Sequence, residues 1–327
     1  MWEWPGERKA KEPRSVVSGA LCRFSAEPSQ SATPCGAGLP RTALSVPRPA
    51  SRGSIMDKVD VSDRLALIRE LEENLWETWS IFGRGPGCSL HEEHDLLWFE
   101  TPIPIIPYNG ILKFQVERDA DQRINSIVEH FGRKKAQFMW ILHPSSRPSD
   151  LGDRLQRRGL KDVEPVPGMA RSLEDLPALP PLPDHIEVRK VVGENEASAY
   201  YQFAAWRWNV PEEYEDHYAA IARGFRFGEP DSRAHMWQAW REGQPIAKAG
   251  MYLGARSAGI YAVATRPEAR RLGLARALTL TALHEARSLG YRVAVLHATP
   301  MAESLYRSLG FDNIAEFRLF ASEEVHV

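Results

Sequence analysis

The chain has 327 residues, of which 43% are hydrophobic, and its formal net charge at pH 7 is −2. This length and composition suffice for two domains with buried cores. The near-neutral charge, and the lack of any apolar run near the roughly 20 residues of a spanning helix, argue against nucleic acid and membranes as partners.

Three cysteines, Cys22, Cys35 and Cys88, are scattered along the chain. They have no metal-ligand spacing and cannot form a disulfide framework. We therefore expect a reducing, cytoplasmic environment and no metal site.

Residues 1–55 are rich in Pro, Ser, Arg, Ala and Gly and show no sustained periodicity, which predicts a disordered extension. Met56 directly precedes an amphipathic stretch, which is consistent with an upstream extension that the folded protein does not need. An organelle transit peptide is the alternative, since arginines outnumber acids there. Glu3, Glu7 and Glu12 argue against it, as do the many prolines.

From residue 65 to Phe82, apolar side chains recur every three or four residues, which predicts one helix. The glycines that follow do not begin another helix, so a phosphate-binding loop is not favoured. His91 and His94, with acids around them, predict a solvated turn rather than a metal site, because no helical frame or distant third ligand accompanies them. Strands are predicted at residues 96–101, 110–116 and 137–143, and helices at 120–131 and 148–158.

An internal parallel links this region to the end of the chain. A strand, a proline-marked helix and Gly159 parallel a later strand, a proline-marked helix and Gly310. Aligning the two glycines places Leu155 where Tyr306 stands. Residues 101–137 contain no Arg-x-x-Gly-x-Ala loop of the kind found later. The first half is therefore expected to share the fold of the second without its anion site.

Prolines recur from residue 165 to 183, which predicts an extended and fairly stiff segment between two domains. Within it, residues 169–173 are interpreted as a last edge strand of the first domain. Beyond it we expect a strand at 185–191, helices from 194 and 211, and a hairpin that turns at Glu242-Gly243. Residues 314–322 alternate as an edge strand.

The stretch from residue 259 to 311 carries the chemistry. A strand at 260–265 is followed by Arg270-Arg-Leu-Gly273-Leu-Ala275 and then by a helix that ends at Gly290. Small residues at 273 and 275 let backbone amides approach a ligand at a helix N-terminus, where anions bind. A second strand at 291–297 and a helix that carries Tyr306 follow. The alternative is a solvated arginine pair at an ordinary helix start.

Two motifs in this stretch resemble the signatures of the GCN5-related N-acetyltransferases (GNAT). They are Val263-Ala-Thr-Arg-Pro with Arg270-x-x-Gly273-x-Ala275, and Ala302-x-x-Leu305-Tyr306-x-x-Leu309-Gly310-Phe311. Both occur in the order and spacing of the family. The resemblance implies an acyl-CoA N-acyltransferase fold, which is α+β with a mixed, mostly antiparallel sheet flanked by helices. We expect it in tandem, with a degenerate acetyltransferase-like domain at 56–176, a proline-rich linker at 177–184 and a GNAT catalytic domain at 185–327.

The resemblance also implies the residues that bind the CoA thioester. Its diphosphate is expected at the helix N-terminus, and its pantetheine arm along a strand that splays from its neighbour. The implied residues are Val263, Ala264, Thr265, Arg270, Arg271, Leu272, Gly273, Leu274, Ala275, Arg276 and Thr299. The family usually has glycine where Arg271 stands and often asparagine where Thr299 stands, so this chain departs from the pattern at both positions.

Tyr306 matches the general acid of the family, which donates to the departing thiolate. The alternative is a tyrosine that packs on its helix face with Leu305 and Leu309. The general base is not fixed by either motif. Among the candidates His297 is preferred, because it ends the strand beside the expected thioester, and a hydrogen-bonded histidine at the sheet end is the alternative. The other candidates are Glu212, Glu213, Glu215 and His217.

The sequence thus predicts an N-acetyltransferase that moves an acetyl group from acetyl-CoA to a primary amine by direct attack in a ternary complex. Cysteine is missing near the motifs, which disfavours a covalent acyl-enzyme. The acceptor is a small-molecule amine, or an N-terminus or lysine of a protein, and the oligomeric state is not specified. A transferase for another acyl or aminoacyl group, and a non-catalytic acyl-CoA-binding sensor or scaffold, are the alternatives.

In the family the first two helices of the domain wall the acceptor site. The resemblance therefore implies that aromatic residues there bind an apolar or cationic amine. Part of this set is expected to be core. The set comprises Tyr201, Trp206, Trp208, Tyr214 and Tyr218.

Overall fold

One continuous sheet of eleven strands runs through residues 62–322, the part of the chain that the computed structural model describes. The expected disordered extension, residues 1–55, lies outside the described residues. The strands are β1 (Ser89–Glu92), β2 (Leu96–Glu100), β3 (Gly110–Phe114), β4 (Met139–Leu142), β5 (Lys161–Ser172), β6 (Glu187–Lys190), β7 (Ala234–Arg241), β8 (Gln244–Leu253), β9 (Ala258–Thr265), β10 (Val293–His297) and β11 (Asp312–Ala321). Their order in the sheet is β1-β2-β3-β4-β11-β5-β10-β9-β8-β7-β6.

Seven α-helices cover this sheet. They are α1 (Arg64–Ser80), α2 (Ala120–Lys134), α3 (Leu151–Gln156), α4 (Glu194–Arg207), α5 (Glu215–Ala222), α6 (Leu274–Ser288) and α7 (Pro300–Ser308). α2 and α3 pack on the N-terminal strands, while α6 and α7 pack on one face of the C-terminal strands and α4 and α5 on the other. α1 crosses the centre of the sheet and touches strands of both halves. The predicted α+β architecture with a mixed, mostly antiparallel sheet is confirmed.

The two halves exchange their last strands. β11 of the C-terminal half lies between β4 and β5, and β5 of the N-terminal half lies between β11 and β10. The predicted edge strands at 169–173 and 314–322 are therefore wrong, since both are central. Pro165 and Pro167 sit inside β5, opposite Arg318 and Glu316 of β11. Alternation along a strand predicts which face is buried, but it does not identify the neighbouring strands.

The internal parallel is confirmed by matching geometry at the ends of α3 and α7. Gly159 and Gly310 have φ angles of 83° and 81°. The N–H group after each glycine donates to the aligned carbonyl, at 3.2 Å to Leu155 and at 3.1 Å to Tyr306. The preceding strands also match, because β3 pairs parallel to β4 as β9 does to β10.

Most of the remaining predicted elements are present within a few residues. The hairpin of β7 and β8 turns at Glu242 and Gly243, which have φ angles of 51° and 75° as a two-residue turn requires. The predicted solvated turn is present at residues 93–95, between β1 and β2. His91 lies outside it, because it belongs to β1 and stacks on Trp98 of β2 at 3.6 Å between ring centroids.

Two further sequence predictions concern membranes and metals. Within residues 62–322 every helix is too short or too polar to cross a bilayer. The same part of the chain has no group of three or more His, Cys, Asp or Glu side chains placed to hold a metal ion.

Candidate active site

The C-terminal half contains a point at which two parallel strands part. β9 and β10 pair at three positions, and the last of these joins Ile260 to Leu296. Beyond it β9 keeps its other partner, β8, as far as Thr265, and β10 keeps β5 as far as His297. The facing edges of β9 and β10 therefore carry backbone N–H and C=O groups that no strand pairs, and an extended chain with amides fits such edges.

A β-bulge shapes β9 where the strands part. The register between β8 and β9 shifts by one residue between Lys248 and Gly250, and Ala262 has a φ of 54°. A bulge bends its strand and re-aims the residues beside it. Val263, Ala264 and Thr265 follow the bulge along the open edge, which is where the sequence motif placed them.

A loop leads from β9 to an α6 N-terminus that is open to an anion. The first N–H group of α6 to reach a carbonyl four residues back is that of Ala277, which donates to Gly273 at 3.0 Å. The N–H groups of Leu274, Ala275 and Arg276 precede it, so they have no acceptor within the helix. No side chain caps the helix at Gly273, and a Cβ added there would meet no described atom within 4 Å.

Arg271 adopts a backbone conformation that favours glycine. Its φ is 62°, in the left-handed region, where residues other than glycine are strained by about 1–2 kcal/mol. Arg270, Arg271 and Leu272 are exposed at the rim of the loop. Arg276 instead donates from Nη1 to Ser308 Oγ at 3.1 Å, which joins α6 to α7. Backbone amides, more than the Arg276 guanidinium, are thus available to an anion at this helix N-terminus.

Buried polar atoms without partners flank the two open edges. Thr265 Oγ1 on β9 and both ring nitrogens of His297 on β10 have no hydrogen-bond partner within residues 62–322. Buried polar groups in folded proteins almost always have one, so these atoms suit a bound polar molecule. Thr299 is buried immediately beyond β10, at the N-cap of α7. A pantetheine arm carries two amides and a hydroxyl, and these residues fit it.

Tyr306 lies on α7, which begins directly after β10. Its side chain is 6% exposed and packs edge-on against Phe311, with ring centroids 6.0 Å apart. Burial raises the pKa of the Tyr306 phenol above its usual range, so the hydroxyl remains protonated at neutral pH. Tyr306 is thus a core residue that also remains a hydrogen-bond donor.

The environment of His297 argues against the general-base role that the sequence predicts for it. Burial lowers the pKa of His297 to about 3, an effect that the nearby Glu72 only partly opposes. Its ring packs edge-on against Phe317 at 4.5 Å between centroids. A base has to hold the proton that it removes, and a ring with this pKa holds one poorly. The geometry favours His297 as a neutral hydrogen-bonding side chain.

The corresponding place in the N-terminal half is closed by its own residues. The N–H group of Phe114 on β3 donates to His143 Nε2 at 3.4 Å, and that of Arg147 donates to the Phe114 carbonyl at 2.9 Å. Gln115 Nε2 donates to Ser145 Oγ at 2.7 Å. The next helix, α2, starts after Asp119 with no arginine–glycine loop before it. The equivalent gap therefore has neither free edges nor an anion site.

An aromatic cavity of about 100 Å³ lies beside the bulge. Both halves of the chain line it. The residues from the N-terminal half are Thr78, Trp79, Phe82, Pro107 and Tyr108. Those from the C-terminal half are Tyr200, Trp208, Tyr218, Phe225, Phe227, Ala234, His235, Met236, Lys248, Gly250, Met251, Tyr252, Tyr261 and Ala262. The cavity therefore meets β9 at Ala262, the residue at which the strand bends.

The aromatic set named from the sequence divides between this cavity and its surroundings. Trp208 and Tyr218 line the cavity. The guanidinium groups of Arg223 and Arg266 lie over the rings of Tyr201 and Trp206, at 5.7 and 4.5 Å from the centroids. Tyr214 packs at the edge of the aromatic core.

α1, a helix of the N-terminal half, is hydrogen-bonded to the bulged strand β9 and to the residue before it. Asn74 on α1 donates from Nδ2 to the Ser257 carbonyl at 3.1 Å and accepts from the Tyr261 hydroxyl at 2.9 Å. A Cβ on Gly259 would lie 2.0 Å from Asn74 Oδ1, so only glycine permits this approach. The N-terminal half thus contributes directly to the shape of the site.

Comparison with protein families identifies the C-terminal half. Residues 197–311 match the model of the acetyltransferase (GNAT) family. These residues form a GNAT domain. The match contains the bulged strand, the loop before α6 and Tyr306, so the features described above belong to the family segment. Acyl transfer is the reaction type of this family. A comparison with curated proteins found no match.

Solved structures with the same fold extend over both halves of the chain. A GCN5-related N-acetyltransferase from Kribbella flavida is 18% identical, with a TM-score of 0.55 over 76% of this chain and 95% of its own. A tandem GNAT protein from the clavulanic acid biosynthesis pathway is 12% identical, with a TM-score of 0.52 over 81% and 97%. A GCN5-related N-acetyltransferase from Sphaerobacter thermophilus is 16% identical, with a TM-score of 0.52 over 80% and 92%. At these identities the likeness concerns the fold, and it supports a tandem arrangement.

Sequence reasoning missed several residues of the site. Asn74 and Tyr108 reach it from the N-terminal half, and no local pattern in the sequence connects them with the GNAT motifs. Lys248 reaches the cavity from β8 and was assigned only to a hairpin strand. A charged residue in the middle of the apolar run Pro245–Leu253 was the one signal that pointed to it.

Proposed function

We propose that the GNAT domain transfers an acetyl group from acetyl-CoA to a primary amine by direct attack within a ternary complex. A single observation carries the proposal: strands β9 and β10 part next to a helix N-terminus whose amides have no acceptor in the helix. Parted strands suit the amides of a pantetheine arm, and the α6 N-terminus suits a diphosphate. The two features adjoin in the order in which CoA carries these groups.

The reaction balances with the side chains present. The amine nitrogen attacks the thioester carbonyl carbon, a C–N bond forms, the C–S bond breaks, and the nitrogen loses a proton to solvent or a base. Sulfur leaves as a thiolate, whose ordinary pKa is about 8.5. Because burial raises the pKa of Tyr306, its phenol is better suited to donating a strong hydrogen bond to that sulfur than to complete proton transfer.

The acceptor is expected in the aromatic cavity, because the cavity meets β9 at Ala262, where the thioester carbonyl would lie. Both acceptor classes, small-molecule amines and the amines of proteins, remain part of the proposal. We also propose a cytoplasmic location. The cavity is about 100 Å³ and is walled by both halves, which favours a small molecule or a single side chain.

The proposal is tested by release of free CoA thiol from acetyl-CoA with a panel of primary amines. We expect release that depends on both substrates and saturates with each. Tyr306→Phe should bind acetyl-CoA and release thiol far more slowly. A protein that binds acetyl-CoA but releases no thiol with any amine would instead be a sensor. Faster release from a longer or aminoacyl thioester would identify a different donor.

A further inference from the structure

Lys248 is a buried amine with no anionic partner among residues 62–322. It lies on β8, its side chain is 1% exposed, and it lines the aromatic cavity. Within residues 62–322 it makes no salt bridge and no hydrogen bond through its amine. Its amine lies over two aromatic rings of α4: Nζ is 4.7 Å from the centroid of Tyr200 and 5.8 Å from that of Phe203. Lysines are almost never buried without an anion, so this position is costly to the free protein.

The cavity contains no anion for Lys248. None of the described residues that line it is Asp or Glu. The charged group that acts on Lys248 is Arg207, at the end of α4, and it repels a second positive charge. His235 also lines the cavity, but its Nδ1 is 2.7 Å from Glu285 Oε1 on α6, so its ring already has a hydrogen-bonding partner of its own. An unpaired amine thus faces an apolar space.

A second orphaned group stands next to Lys248. Gln238 on β7 is directly opposite Lys248 in the sheet, is 0% exposed, and has no hydrogen-bond partner at either amide atom within the described residues. On the other side, Lys248 is opposite Ala264 of β9. The neighbouring strands therefore place the unsatisfied amide of Gln238 and the amine of Lys248, which has no anion, in line with Ala264 of β9. Buried polar side chains without a hydrogen-bond partner are rare in folded proteins, and a bound ligand that supplies the partner accounts for them.

We propose that Lys248 binds a carboxylate of the acceptor, so that the acceptor is an amino acid with an apolar or aromatic body. This rests on the proposed function. The aromatic walls hold the body, the ammonium of Lys248 pairs with the carboxylate, and the amine is directed to the bulge at Ala262. Binding of the acceptor supplies the anion that the cavity lacks.

Among the titratable groups around the cavity, Lys248 is the one whose protonation we expect a bound carboxylate to change. Burial lowers the pKa of Lys248 to about 7, with a smaller contribution from Arg207. Burial raises the pKa of each neighbouring phenol, so these remain neutral up to pH 9. The phenols are Tyr108, Tyr200, Tyr218, Tyr252 and Tyr261. A bound carboxylate favours the ammonium form and raises the pKa of Lys248, so binding at pH 8 takes up a proton.

The first experiment compares acids with their amides in acetyl transfer by the full chain. The probes are L-phenylalanine and L-leucine, their amides, and the amines that lack the carboxyl group, phenylethylamine and isoamylamine. We expect kcat/KM for the acids to exceed that for the amides by about tenfold or more, as for a charge-assisted hydrogen bond. In Lys248→Met the preference should vanish, because kcat/KM for the acids should fall by more than that for the amides and for phenylethylamine. Lys113→Met is the matched control, since Lys113 also lies on a strand, over Trp76 at 5.3 Å, outside the cavity.

The second experiment measures proton uptake. Titration calorimetry of phenylalanine into the protein with CoA at pH 8, in buffers of different ionisation enthalpy, should show uptake of up to about 0.9 proton per site, the amount expected for a group of pKa near 7 that becomes charged. Phenylethylamine should show no such uptake, and neither should Lys248→Met with phenylalanine. If Lys248 had only a structural role, its replacement by Met would leave the number of protons taken up on phenylalanine binding unchanged.

Three results would overturn the inference. Amides that react as well as acids would show that no carboxylate is recognised. Equal loss of transfer to every amine in Lys248→Met, with acetyl-CoA binding intact, would show that Lys248 acts on the reacting amine instead. Transfer that is confined to amines without a carboxylate would also contradict it, yet would leave the proposed function in place. Failure to bind acetyl-CoA at all would overturn both.

Discussion

The hydroxyl of Tyr261 donates a hydrogen bond of 2.9 Å to Oδ1 of Asn74, a residue that lies 187 positions earlier in the chain. Tyr261 immediately precedes the bulge at Ala262, and Asn74 lies on α1. The helix of the N-terminal half thus fixes the strand of the GNAT domain along which the thioester would bind. Both halves thus contribute to the candidate site, although only one of them carries the family motifs.

Removal of this contact tests how the halves depend on each other. Asn74→Ala leaves the Tyr261 hydroxyl and the Ser257 carbonyl without their buried partner, and we expect a loss of about 2–4 kcal/mol in the free energy of unfolding. Urea unfolding measures it. KM for acetyl-CoA should also rise, because the bulged strand is less well held. Asn125→Ala is the control: Asn125 Oδ1 accepts from Arg158 Nε at 2.6 Å at an exposed site on α2, so the variant should lose much less stability and keep its KM. A stable Asn74→Ala with unchanged kinetics would contradict the account.

Arg271→Gly tests whether the backbone or the side chain of the loop binds the anion. Because Arg271 has a φ of 62°, glycine should relieve strain and raise stability by about 0.5–1 kcal/mol, measured by thermal unfolding. Affinity for acetyl-CoA should change by less than about threefold if backbone amides supply most of the binding.

Arg226→Gly is the control for this change. Arg226 has a similar φ of 53°, but its guanidinium pairs with Glu229 and Asp231. The same relief of strain is there offset by the lost ion pairs, so the variant should gain less stability than Arg271→Gly. A large loss of acetyl-CoA affinity in Arg271→Gly would instead assign the binding to the side chain.

Tyr306→Phe removes the donor to the leaving sulfur. We expect kcat to fall by about 100-fold, as when one hydrogen-bond donor to a developing negative charge is removed, while the Kd for acetyl-CoA stays the same. Because the pKa of Tyr306 is raised, the wild type should show no loss of activity from this group up to pH 10. Tyr291→Phe is the control, since the Tyr291 hydroxyl donates to the Gly254 carbonyl at 2.8 Å. It should destabilise the fold without lowering kcat. Equal kcat in both variants would rule out the role of Tyr306.

Glu72 makes stability depend on pH. Burial raises the pKa of this carboxyl, but hydrogen bonds from His143 and Ser145 outweigh burial and lower the pKa below the usual value. A lowered pKa in the folded state stabilises the protein above the unfolded pKa of about 4.3, and the gain is lost as the pH falls through the folded value. Glu72→Gln should therefore be less stable by about 2–4 kcal/mol at pH 7.

The test of this prediction is the stability gap between Glu72→Gln and wild type as a function of pH. Urea unfolding at several values between pH 7 and pH 3 should show the gap narrowing below about pH 4, where the unfolded state binds the proton and the folded state does not yet bind it. Glu129→Gln is the control, because Glu129 is 70% exposed and 3.9 Å from Arg133. A gap that stays constant down to pH 3 would show that the charge of Glu72 contributes nothing.

The sequence was sufficient for features that depend on neighbouring residues. Gly273 before a helix and Tyr306 on the following short helix were identifiable because loop, helix and strand follow one another within 53 residues. The internal parallel was also readable, since Gly159 and Gly310 end similar helices with the same backbone conformation.

Features that depend on distant pairing were not predictable in the same way. Nothing in the alternation of β11 indicates that it lies beside β4 rather than at an edge, because the period of a strand reports its faces and not its neighbours. Asn74 and Lys248 have no motif either. Each is significant only through the group that it meets across the fold, which is Tyr261 for Asn74 and an apolar cavity for Lys248.

The most direct test of the central claim is a calorimetric titration of the full chain with acetyl-CoA, using two matched variants. Gly273 and Gly243 have the same φ of 75°, and at neither would a Cβ meet a described atom within 4 Å. Gly273→Glu and Gly243→Glu thus carry the same backbone strain, but only the first places a negative charge at the N-terminus of α6. We predict saturable binding to wild type and Gly243→Glu, and a loss of at least about tenfold in affinity for Gly273→Glu. No saturable binding to wild type, or equal affinity in the two variants, would contradict a CoA diphosphate site at the α6 N-terminus.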